Sequence, residues 1–193
     1  MPAENILHQS ETSQETVCFP VTKEAADRAL TGIAENPDRV MVEEGAVMQV
    51  ENPELNLILM ALGQSGQTGM GINMGVFSEG ALWTYRILRS QAELNGKALP
   101  KISEELARVT VQDQINSLRE FEGKAPRGGF APFIEEKMKE ISSEEPELGR
   151  AIGELTKYRA GKIAFYNGAI NVYLPIKKAL RSAELGRKFT LGK

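Results

Sequence analysis

The chain has 193 residues, 41% apolar and 25% charged, which excludes wholesale disorder and fits one domain with a real core. A single cysteine, Cys18, excludes an internal disulfide framework, and with no secretory h-region in view it favours a reducing cytoplasm. The net charge of −3 hides a division: residues 1–149 carry 13 Lys/Arg against 24 Asp/Glu, whereas residues 150–193 carry 10 against 2. Internal docking or an acidic partner explains that division equally well.

Residues 1–19 read as a polar, acidic, flexible arm, and 20–185 as a single helical domain. Within it Thr22 is placed to cap a helix whose inner face is Ala26, Leu30, Ile33 and Ala34, stopped by Asn36-Pro37. The stretch from Val40 to Val50 is the one β-like segment, two short apolar runs around Gly45, and predicts a minor hairpin. Asn52-Pro53-Glu54 then opens an apolar helix that Gly63 ends. From Leu55 to Ser78 no residue is charged. Five glycines and several amides and hydroxyls make this stretch too polar for a membrane span.

Ser78 is expected to cap a helix running to Leu94 and stopped by Asn95-Gly96. Its apolar residues fall on two faces: Ala81, Leu82, Tyr85, Leu88 and Ala92 on one, Trp83, Ile87 and Leu94 on the other. Such a helix lies between neighbours. Ser103 opens the next segment, whose apolar phase shifts at Val109-Thr110-Val111. Leu106 and Val109 face one way and Val111, Ile115 and Leu118 another. Thr110 with Asp113 has capping-box spacing, so a break is expected there. Pro132 is expected to start a short helix with Ile134, Met138 and Ile141 inward. Ser142 and Glu145 have the same capping-box spacing and Pro146 suits a first turn. Leu148, Ile152, Leu155, Ile163, Tyr166, Ile170 and Tyr173 then make one stripe. Unbroken from 144 to 174, that rod would be roughly 40 Å long, with Pro175 ending or kinking it. Residues 186–193 read as a basic flexible tail.

The fold expected is therefore an all-α bundle of about six helices with a minor hairpin near residues 40–50. For chemistry the inventory is thin. His8 is the sole histidine and lies in the polar arm, so no nucleophile–His pair or N/S zinc site is available, and no catalytic residue, metal or cofactor is expected. Four candidate sites stand beside blander readings. The Gly-rich stretch 63–78, ending at Ser78, and the pair Lys124 and Arg127 before a helix start have features of anion sites. The first lacks both P-loop and dinucleotide spacing. Arg159 interrupts the apolar stripe, and either meets a carboxylate or snorkels from the rim. Lys177, Lys178, Arg181, Arg187 and Lys188 form a basic face for a partner. Tyr158, Phe165, Tyr166 and Tyr173 are assigned to packing in preference to nucleic-acid stacking. The sequence thus leans away from an enzyme and toward an interaction or assembly subunit with a protein partner or further copies of itself. A small anionic ligand or nucleic acid is the alternative.

Overall fold

The computed structural model describes residues 20–35, 74–124 and 129–190, with the side chains of 32–35, 74 and 184–190 excepted. Six helices and no strand occur among these residues: α1 (Lys23–Glu35), α2 (Met74–Leu94), α3 (Glu104–Lys124), α4 (Phe130–Glu144), α5 (Pro146–Thr156) and α6 (Lys162–Thr190). The fold is all-α. The expected arm 1–19, hairpin 40–50, helix after Pro53, glycine-rich residues 63–73 and Arg127 lie outside the described residues.

The central pair is α2 and α6, which share the most extensive contact in the bundle, with α1, α3, α4 and α5 packed around them. Both helices carry a glycine at the crossing. A Cβ on Gly80 would fall on the backbone of Phe165, and one on Gly168 would fall on the Phe77 carbonyl and within 2.9 Å of the Ala81 nitrogen. Two helix backbones approach this closely only where one residue lacks a side chain, so the glycines set the depth of the contact. Around it Phe77, Ala81, Leu82, Trp83, Phe165, Ala169, Ile170 and Val172 are buried. The two apolar faces of α2 are both covered, as their spacing predicted, and only Leu94 at the end emerges.

Several ends form as expected. The Thr22 hydroxyl accepts from the Ala25 N–H at 3.3 Å, and its own backbone N–H donates to the Gln91 side chain at 2.7 Å, tying α1 to α2. After α2, Gly96 adopts φ 62°, its N–H returns to the Glu93 carbonyl, and that of Lys97 returns to Ala92 at 2.8 Å. Ser103 caps α3, accepting the Leu106 N–H at 3.2 Å. Pro146 opens α5.

Other expectations need correction. The 144–174 rod is not continuous: α5 stops at Thr156, residues 157–161 turn, and α6 begins at Lys162. Gly161 takes φ 85°, a conformation closed to most other residues, and the Thr156 hydroxyl folds back onto the Ile152 carbonyl. The stripe survives on both sides of the break, with Leu148, Ile152, Ile170 and Tyr173 buried. Conversely, α3 runs unbroken through Thr110, whose hydroxyl donates to the Leu106 carbonyl at 2.7 Å instead of capping a new helix. Ser142 likewise donates to Met138 at 2.7 Å and caps nothing. Pro175 sits inside α6 without ending it, buried beside Val172 and Ile176. Packing outweighs the lost hydrogen bond there. Finally α2 begins at Met74, a turn before Ser78, and α4 at Phe130, before Pro132.

Candidate functional site

The apolar phase shift that suggested a break in α3 has a different origin. In an uninterrupted helix, two apolar phases are two apolar faces. Ala107, Val111 and Leu118 face the core, whereas Leu106 is half-buried and Val109 is 46% exposed. Midway along, α3 is fastened to α6 by the Gln114 amide donating to Asn171 at 3.1 Å and by the Asp113–Lys178 ion pair. Toward the start of α3 the two helices part into an open groove of about 500 Å³. Leu106, Val109, Ala179 and Ala183 give it an apolar floor, and Lys101, Glu105 and Ser182 a rim of mixed charge and hydroxyl. Burying a valine fully is worth about 1.5–3 kcal/mol, so covering the exposed half of Val109 alone is worth about 1 kcal/mol.

A second cluster gathers where α4 meets α5. Glu145 is buried, and its carboxylate accepts the Val21 N–H at 3.0 Å, holding the start of α1. Burial raises its pKa above the ordinary value, against the smaller opposing effects of the Val21 bond and Lys177. Glu144 shifts the other way, lowered chiefly by its hydrogen bond from Lys177 and helped by Tyr173 and Arg181. Burial and the two carboxylates push the Tyr173 phenol up. Paired carboxylates with divergent pKa values are a pattern found in acid–base catalysts. Here neither of them lines the grooves beside Tyr85 and Leu99, between α3 and α6, or between α3 and α4, and Glu145 already carries a structural bond. The cluster is a clamp.

The residues picked from the sequence disperse. Ser78 lies half-buried in α2, beside Glu79. Lys124 ends α3 and lines a different, open groove of about 270 Å³, shared with Lys137 and with Glu120, Glu136 and Glu140, so that three carboxylates face two ammonium groups. Ser78 does not line the groove that holds Lys124. Arg159 does meet a carboxylate: it leaves the turn after α5, pairs with Glu79 of α2 and lies over the Phe165 ring at 5.8 Å. Lys177 pairs with Glu144 and Lys178 with Asp113, so two cations of the basic face are spent on the acidic body. Arg181 is exposed, and the Arg187 and Lys188 side chains lie outside the described set. Tyr158 is not packed at all, being 88% exposed, while Phe165 and Tyr173 are buried and Tyr166 half-buried. Among the described residues no group of three metal-ligating side chains is gathered, and no helix is long and apolar enough to cross a membrane. No protein-family model, curated protein or solved structure matches the chain.

Proposed function

We propose that this chain is a non-catalytic protein-interaction module, a subunit of a larger cytoplasmic assembly, which holds an amphipathic segment of a partner protein in the groove between α3 and α6. The observation carrying this reading is the second apolar face of α3, with Val109 46% exposed and Leu106 half-buried, beside Ala179 and Ala183 in an open groove. The rim supplies both signs of charge at Lys101 and Glu105, which suits a segment with an apolar ridge and a mixed polar face. Nucleic-acid binding through the basic face is the weaker reading, because Lys177 and Lys178 already hold carboxylates.

The test is copurification from native cells with Val109→Asp as the control, alongside molar mass from light scattering across concentration. The variant alters an exposed position, so its melting temperature should stay near the parent's. A partner retained by the parent and lost by the variant supports the groove. A partner held equally by both places the interface elsewhere. A strict monomer that recovers no partner overturns the whole reading.

A further inference from the structure

The turn that breaks the expected rod carries its own surface. Tyr158 stands on it almost wholly exposed, in a chain whose other described aromatic rings pack against the bundle. Cations surround it. The Lys157 ammonium lies over the Tyr158 ring at 5.2 Å and that of Lys162 over the Tyr166 ring at 5.1 Å. Arg159 is neutralised by Glu79. Lys157 and Lys162 have no carboxylate within ion-pair range among the described residues, and Glu154, the acid nearest Lys157 in sequence, is taken by Arg150 at 2.8 Å. The first turn of α6, with its unpaired N–H groups, adds positive potential at the same place.

We infer that this turn is a docking surface for an acidic segment of a partner protein. Charge complementarity selects the occupant. Lys157, whose ammonium lies over the exposed Tyr158 ring, and Lys162, four residues on, make no ion pair with a carboxylate among the described residues, and tyrosine contributes disproportionately to protein interfaces. A single-stranded nucleic acid would have to stack on a Tyr158 ring that Lys157 already occupies on one side, and would need a longer run of cations along its backbone. Two free cations on a chain of net charge −3 also release too few counterions to hold a polyanion firmly. A short run of Asp or Glu needs only those two. This surface extends the interaction reading, and it rests on residues remote in sequence from Val109.

The probe is a fluorescein-labelled peptide of alternating aspartate and glutamate, read by anisotropy on the full chain. Its asparagine–glutamine counterpart and an oligothymidylate of equal length serve as comparisons. The acidic peptide should bind at low salt and dissociate as salt rises, and the neutral one should not bind. Lys157→Ala combined with Lys162→Ala should weaken binding at least about tenfold and Tyr158→Ala about fivefold, with melting temperatures unchanged. Val109→Asp should leave this binding alone, so failure here and failure of the groove are separable. Absence of acidic-peptide binding, binding indifferent to the lysine pair, or tighter binding of the oligothymidylate would each overturn the inference.

Discussion

Replacing Gly168 by alanine adds one methyl group at the closest point of the bundle. A Cβ there would lie on the Phe77 carbonyl and within 2.9 Å of the Ala81 nitrogen, and both obstacles are backbone. Neither can rotate away, so α2 would have to retreat from α6 and loosen Phe77, Ala81 and Phe165 together. Overpacking of this kind costs about 1–3 kcal/mol, and the displaced neighbours place Gly168 at or beyond the upper end. Against that, alanine gains about 1 kcal/mol over glycine in a helix interior. The net expectation for Gly168→Ala is a loss of about 2 kcal/mol or more. Gly153 is the control. It also sits inside a helix, α5, but a Cβ there meets nothing within 4 Å, so Gly153→Ala should gain about 0.5–1 kcal/mol. Identical chemistry should therefore move stability in opposite directions, with melting temperatures separated by about 5–10 °C. Urea unfolding followed by fluorescence reads both variants directly, because Trp83 is the chain's single tryptophan and is only 1% exposed. A Gly168→Ala protein as stable as the parent would refute the glycine-limited contact between α2 and α6.

Glu145 gives a pair of variants with different expectations. Glu145→Gln keeps an oxygen for the Val21 N–H and removes a buried charge, so it should match or exceed the parent at neutral pH. Glu145→Ala leaves that N–H without its acceptor and should cost about 1–3 kcal/mol. The pH dependence has a definite sign. Because folding raises the Glu145 pKa above 4.5, its contribution to stability is fully present below that value. The contribution is lost as pH rises through the raised value. Subtracting the Glu145→Gln stability curve from the parent's isolates it, and a difference that grows in the parent's favour with rising pH would contradict the burial of this carboxyl. Gly161, at φ 85°, should resist substitution by a residue with a side chain. Gly161→Ala is expected to cost about 1–2 kcal/mol in thermal unfolding, and no loss would mean that the turn does not depend on that conformation.

The local ends of helices were legible in the sequence wherever one residue decides them. Thr22, Ser103, Asn95-Gly96 and Pro146 act through their own side chain, or lack of one, within four residues. Two of the misreadings involve competition between local and tertiary bonding. Thr110 and Ser142 have hydroxyls that either cap a new helix or fold back on the preceding turn. Sequence spacing cannot choose, because the choice depends on whether the helix is held straight by its neighbours. Gly161 was visible but ambiguous, since glycine is tolerated inside helices and favoured at their ends. An apolar stripe that keeps its phase across the break concealed it. The groove was legible in retrospect from Leu106 and Val109. A phase shift without a Pro or Gly nearby marks a second face more economically than a break.

Charge gives the last step. The segregation of acids before residue 150 and bases after it left internal docking and an external partner equally open, and the structure answers differently for different cations. Lys177, Lys178 and Arg159 each return to a carboxylate on an earlier helix, Glu144, Asp113 and Glu79. Arg150 gathers Asp27, Glu147 and Glu154. Exposed pairs of this kind are individually worth about 1 kcal/mol or less, so they do not hold the bundle together, which falls to the interlocked backbones of α2 and α6. What they do is remove cations from the surface and set the α4–α6 and α3–α6 registers. Lys157 lies on the turn and Lys162 opens α6, and neither pairs with a carboxylate among the described residues. The break that shortens the rod is thus also what leaves two ammonium groups and a tyrosine facing outward.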